Sequence, residues 1–200
     1  MSKEKPVVMN SKENFANDER YLKIRKSVDE LFEKNEFKPA VFEEISPCGK
    51  YRINIRHLDN GKGYWDYIEG IITLVKTNEE LFIIRRNYGT WWSRFINHQN
   101  GNDYLLCGED YQGYVCLNLT EKKKHVYYPE GALAGCGFCW IEVREYEEEY
   151  DDTITVEGCY WGAPYEKVVY NFSDPDKVPY PEVDRWVIDE DDWDEEEEDE

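Results

Sequence analysis

Along Thr153-Ile-Thr-Val-Glu157, polar and apolar side chains alternate one for one, the period of a half-buried strand. Gly158-Cys-Tyr-Trp-Gly162 breaks the alternation with small and bulky residues. Ala163-Pro164 then withdraws a backbone donor, which marks a turn or an edge position. Alternation resumes over 165–172, with Val168, Tyr170 and Phe172 on one face and Lys167 and Asn171 on the other. Ser173-Asp-Pro175 closes the unit with turn chemistry.

Two stretches upstream follow the same plan. Tyr51, Ile53 and Ile55 alternate with Arg52, Asn54 and Arg56 after the turn Pro47-Cys-Gly-Lys50, and a Gly/Trp/Tyr-rich link leads into an apolar strand at 68–75. Tyr104-Leu-Leu-Cys107, the link Gly108-Glu-Asp-Tyr-Gln-Gly113 and a returning strand at 114–119 form the middle copy. Leading strands therefore start near Tyr51, Tyr104 and Thr153. Intervals of roughly 50 residues are the period of propeller blades and other stacked β-repeats.

The helical period occurs once. Tyr21, Ile24, Val28, Leu31 and Phe32 share one helix face, and Asn17-Asp-Glu19 supplies a cap with acids in the first turn, so an amphipathic helix is expected at about 18–34. Such a helix covers a sheet edge or core face, or meets a partner. Further strands are expected at 37–45, 81–84, 124–128, 138–145 and 185–188, with an acidic hairpin connection at 145–152. Trp91 and Trp92 are adjacent, so on an extended chain one faces the core and the other the rim.

The expected fold is all-β and mainly antiparallel, with three propeller-blade-like repeats and one N-terminal α-helix. Three blades cannot close an ordinary propeller, which has four or more. An open, helix-capped repeat is preferred to a two-sheet sandwich or to closure by oligomerisation. The expected organisation is a flexible N-terminus at 1–16, a helix at 17–35, one β domain at 36–188 and a disordered acidic tail at 189–200.

Charge sharpens this picture. The net charge is -20, and 11 acids in the last 12 positions supply more than half of it, leaving -9 on the body. Neither Lys nor Arg forms a patch large enough for phosphates, so direct nucleic-acid binding is not expected. Lys122-Lys-Lys-His125 reads as a solvated hairpin turn. No apolar run approaches the ~18 residues of a membrane span, and no secretory h-region opens the chain, so a cytoplasmic setting is expected. Aromatic residues make up 16% of the chain, a loading that suits pleated sheets and binding surfaces.

Tyr104-Leu-Leu-Cys-Gly-Glu-Asp-Tyr-Gln-Gly113, Gly137-Phe-Cys-Trp140, Gly158-Cys-Tyr-Trp-Gly-Ala-Pro-Tyr-Glu166 and Asn171-Phe-Ser-Asp-Pro175 resemble an uncharacterised family of small, β-rich cytosolic proteins. The resemblance covers roughly 40–180 and implies one folded unit. It brings no activity with it.

Chemistry is sparse. Cys136-Gly-Phe-Cys139 has CxxC spacing, but no second CxxC or paired histidine accompanies it, and His57, His98 and His125 are scattered. Packing thiols are expected rather than a zinc or redox centre, with Cys107 and Cys159 as the nearest thiol complements. There is no nucleophile elbow and no phosphate-cradling loop. Glu109-Asp110, in a glycine-flanked link, offers an acid/base pair, a cation site or a solvated turn. Trp161 and Tyr165 flank Pro164 and either pack the core or form a rim. The expectation is a non-catalytic protein-binding or adaptor module, with a basic protein among its candidate partners. Its candidate binding residues are Trp91, Trp92, Glu109, Asp110, Tyr111, Trp161 and Tyr165, with no catalytic residue, metal ligand or cofactor. The alternative is a small hydrolase-like enzyme using the acidic pair, with or without a divalent cation.

Overall fold

Alternating runs become three four-stranded antiparallel meanders. A computed structural model describes residues 13–59, 66–145 and 152–188. Of the N-terminus expected to be flexible at 1–16, residues 1–12 lie outside the described residues, as do 146–151 of the expected connection at 145–152 and the acidic tail at 189–200; 13–16 are described, with Asn14 and Phe15 bonded to Val126 and Tyr128. Sheet I comprises β1 (Phe37–Ile45), β2 (Tyr51–Leu58), β3 (Tyr67–Leu74) and β4 (Glu80–Arg86) in that order. Sheet II comprises β5 (Ser93–Asn97), β6 (Asp103–Cys107), β7 (Tyr114–Asn118) and β8 (Lys123–Tyr127). Sheet III comprises β9 (Phe138–Glu145), β10 (Thr153–Tyr160), β11 (Tyr165–Asn171) and β12 (Glu182–Val187). The fold class is as expected: mainly antiparallel β in three blade-like sheets, with one helix.

The starts at Tyr51, Asp103 and Thr153 belong to the second strand of each sheet, not the first. Ser93-Arg-Phe-Ile-Asn97 does not alternate and was not expected as a strand, yet it pairs along β6 from Ser93↔Cys107 to Asn97↔Asp103. β10 also continues through the apparent break. A bulge between Glu157 and Gly158 lets Gly158 sit opposite Trp140, so the ladder carries on to Tyr160.

Sheet II lies between the other two. Every residue of β6 and β7 is buried, so these strands read as continuous apolar runs, because both of their faces are covered. Leu105, Cys107, Val115 and Leu117 face Ile53, Ile55, Ile72 and Ile84 of sheet I. Tyr104, Leu106, Tyr114 and Cys116 face Trp140, Val156, Val168 and Tyr170 of sheet III. The outermost faces of the stack end in charge ladders. On sheet I, Glu69 takes Arg56 at 2.5 Å and Arg85 at 3.1 Å; on sheet III, Glu157 takes Arg144 at 3.4 Å and Lys167 at 3.5 Å.

Helix α1 (Glu19–Lys34) starts at Asp18, whose carboxylate accepts the Arg20 N–H at 2.9 Å. That cap contributes about 1 kcal/mol to the helix. Along its length α1 touches two sheets. Tyr21 stacks on Tyr128 beyond β8 at 4.0 Å, and Val28 and Phe32 cover Leu58 of β2. Just before it, Asn14 donates to the Val126 carbonyl at 2.6 Å and the Phe15 N–H donates to the Tyr128 carbonyl at 2.8 Å.

Candidate functional site

Glu109 and Asp110 occupy the tight β6–β7 link, and both are buried. Arg25 comes down from α1 to meet them, 4.0 Å from Glu109 and 3.5 Å from Asp110, and donates to the Glu109 carbonyl at 3.0 Å and the Arg85 carbonyl at 2.5 Å. Lys124 of β8 closes on Glu109, and the Asn87 amide donates to Asp110. Arg86 donates to the Asp110 carbonyl at 2.5 Å and the Thr90 carbonyl at 2.7 Å. Burial raises the Asp110 carboxyl above the usual range, against the pull of Arg25 and a hydrogen bond from Tyr21. Burial also pushes the Arg86 guanidinium down to about 10, which leaves it charged at neutral pH. Both carboxylates are thus committed to fastening the helix and the 87–92 segment to sheet II.

Beside this cluster runs a groove of about 730 Å³, lined by Tyr21, Arg25, Arg85, Glu109, Lys124 and His125 among others. His125 Nε2 lies 3.1 Å from Asp176, and Lys122 and Lys123 pair with Glu79 and Glu121, each at 2.6 Å. The basic cluster is therefore a set of strand-end ion pairs.

The aromatic candidates part company. Trp92 is buried at 8% exposure and tilts against Trp140 at 5.8 Å. Trp91 faces the other way, half-buried, donating to Ser93 Oγ at 3.0 Å and lying so close to Gly70 that a Cβ there would sit 2.5 Å from its ring. Opposite orientation of the adjacent pair is as alternation requires. Tyr111 is half-buried against Tyr88 at 4.4 Å. Trp161 is 78% exposed and Tyr165 42%, so neither packs the core. The turn at Gly162, with φ of 76°, carries Trp161 away from the sheet.

Cys139 and Cys159 are register partners on β9 and β10, while Cys136 is exposed and Cys107 faces sheet I. Burial pushes the Cys139 thiol up to about 11. All six cysteines are free, and among the described residues no group of three or more Cys, His, Asp or Glu could hold a metal.

What the sequence reading missed is a cavity of about 550 Å³ between sheets II and III. Its wall is Tyr114, Tyr127, Phe138, Trp140, Tyr170 and Tyr180, and exposed Lys177, Pro181 and Glu182 stand at its rim. Four of the rings form a column: Tyr170 on Trp140 at 5.2 Å, Trp140 on Tyr114 at 4.2 Å, Tyr114 on Tyr180 at 5.0 Å. Trp140 and Tyr114 thus have both faces covered and turn ring edges to open space. The Tyr180 N–H donates to the Tyr114 hydroxyl at 2.7 Å, and the Tyr180 hydroxyl donates to the Pro175 carbonyl at 2.9 Å, which pins the 175–181 segment over the cavity. Gly113, at φ of 81°, lies against the Tyr127 carbonyl where a side chain would not fit. The signal available in sequence was the aromatic density of 114, 127, 138, 140, 170 and 180, which reads equally well as core.

No family model matches the chain, and no solved structure matches it. Over 146 residues it is 31% identical to Uncharacterized protein R762 of Acanthamoeba polyphaga mimivirus. The alignment takes in 71% of this chain and 56% of that protein, so the chain spans about half the length of the curated relative it matches. That relative brings no activity to either chain. No helix among the described residues is long and apolar enough to cross a membrane.

Proposed function

We propose that this chain is a non-catalytic binding module that takes an apolar side chain of a protein partner into the aromatic cavity between sheets II and III. One observation carries the reading: about 550 Å³ of space walled by six aromatic side chains, with charged residues only at the rim. Apolar hollows with a few polar groups at the mouth are the usual form of a binding site. Ring edges carry the positive end of the aromatic quadrupole, so edges facing inward suit the face of an incoming ring. Trp140 and Tyr114 offer a cation no open ring face, and Arg185 already lies over the ring of Phe138 at 5.0 Å. The six free thiols fit a reducing, cytosolic setting.

The hydrolase alternative has less in its favour. Glu109 and Asp110 are held by Arg25, Lys124 and Asn87, and His125 in the same groove sits against Asp176. The test is protein-observed NMR with N-acetyl-tryptophanamide. Saturable shifts are expected at the Trp140 and Tyr180 signals but not at Trp161, and Val178→Phe, which fills the mouth, should abolish them. Absence of any saturable shift at Trp140 removes the reading.

A further inference from the structure

We propose that the cavity takes an aromatic residue of a partner protein whose own main-chain carbonyl accepts a hydrogen bond from the Tyr170 hydroxyl, with an acidic residue beside it that meets Lys177. The proposal rests on the cavity being a binding site. It adds the partner's chemistry at the mouth: a ring inside, then a carbonyl, then a single carboxylate.

The group that decides is a hydroxyl the chain leaves unused. Tyr170 is 6% exposed, lines the cavity and stands at the end of the ring column, on Trp140. Two other phenols of the column are spent within the chain. The Tyr114 oxygen accepts from the Tyr180 N–H at 2.7 Å, and the Tyr180 hydroxyl donates to the Pro175 carbonyl at 2.9 Å. The Tyr170 hydroxyl has no hydrogen-bond partner among the described residues. Buried tyrosines ordinarily find one, because an unmet hydroxyl carries the full cost of its desolvation. Burial raises this phenol, and the charges that act on it are those of Arg185 and Glu182. Glu182 stands at the rim, so the hydroxyl lies at the mouth rather than at the floor. Glu182 does not answer it, because Arg185 takes both of its oxygens, at 2.9 and 2.8 Å.

A donor in that place selects the occupant. A ring that fills the hollow leaves its Cβ at the mouth, so the nearest acceptor is the main-chain carbonyl of the same residue. Apolar walls with a few placed polar groups are how pockets fix the orientation of what they bind. The rim charge left over is positive. Lys177 is exposed and enters no ion pair among the described residues, whereas Glu182 and Arg185 neutralise one another. A carboxylate on the neighbouring residue therefore completes the rim. One suffices, since a body that is itself acidic repels a longer acidic run. A basic neighbour would find Glu182, the acid at the rim, already taken.

The test titrates the full chain by protein-observed NMR with two pairs of probes. The first pair is N-acetyl-tryptophanamide and N-acetyltryptamine, which lacks the residue's own carbonyl. The second is N-acetyl-Trp-Glu-amide and N-acetyl-Trp-Lys-amide. On the unaltered protein, N-acetyltryptamine should bind about fivefold more weakly than N-acetyl-tryptophanamide, the worth of one hydrogen bond. Tyr170→Phe removes the hydroxyl, keeps the ring and should close that gap. The first pair on the unaltered protein keeps the test valid if the variant misfolds. The Glu dipeptide should bind about two- to fivefold more tightly than the Lys dipeptide, and Lys177→Ala should abolish the preference. Binding of both indoles with no gap between them, or a gap that Tyr170→Phe leaves intact, overturns the carbonyl contact and leaves the cavity. Equal binding of the two dipeptides overturns the acidic neighbour. No saturable binding of any probe overturns the cavity and this proposal together. Free tryptophan binding more tightly than N-acetyl-Trp-Glu-amide would assign the cavity to a small aromatic acid and overturn the protein partner.

Discussion

The acidic link at Glu109-Asp110 and the aromatic cavity are two ends of a contrast between chemical promise and space. The link holds buried carboxylates, three cations and a helix, and every charge in it is answered by a neighbour. The cavity has charged residues only at its rim, yet it retains about 550 Å³ that the chain does not fill. A buried ion pair is expensive to form and more expensive to break, so such a cluster is fixed machinery for holding elements in place. A binding site needs unspent surface, which here is made of residues that look like core.

The largest expected effect breaks the charged side of the contrast. Arg25→Ala leaves the buried Asp110 without its cation and Glu109 with Lys124 alone, and should cost about 3–5 kcal/mol in urea denaturation at neutral pH. Burial already raises the folded Asp110 carboxyl above its unfolded value near 3.8. Ionising it therefore weakens the native state as pH rises from 3.8 through the folded value, and Arg25 offsets that loss. The cost of Arg25→Ala should accordingly shrink below the folded value, where Asp110 is protonated. A cost that is the same at acid and neutral pH would show that Arg25 acts by packing alone. Tyr114→Phe probes the other side at smaller scale. It deprives the buried Tyr180 N–H of its acceptor, which should cost about 1–3 kcal/mol and loosen the 175–181 segment, raising amide exchange there. An unchanged exchange rate at Tyr180 would mean that the ring column alone holds the cavity wall. Smallest is Trp161→Ala: at 78% exposure it should change stability by less than about 0.5 kcal/mol in urea denaturation, and a larger loss would show that the ring packs on the body.

Legibility divided along the same line. Local periodicity placed α1 and eleven of the twelve strands, because side chains facing a core must recur every two or every 3.6 residues. It failed at β5, where the adjacent Phe95 and Ile96 are both buried between polar residues and show no alternation, and at Gly158, where a bulge resets the alternation. Among the candidate residues, Trp91 and Trp92 face opposite ways as expected, and Trp161 and Tyr165 lie at the surface rather than in the core. Glu109 and Asp110 looked solvated because their cations come from Arg25, 84 and 85 residues away, and from Lys124 across a hairpin.

By itself the sequence determined the elements: one capped helix, strands at a repeating interval, and an acidic run that leaves the body far less charged than the whole. Only the tertiary structure decided which apolar residues are spent on packing and which line open space. Tyr114, Trp140, Tyr170 and Tyr180 come from sheets II and III and from the connection of β11 to β12, so no local pattern marks the hollow they enclose. Patterning reports which way a side chain points. Whether another atom waits there depends on how two twisted sheets meet, and that is a property of contacts far apart in the chain.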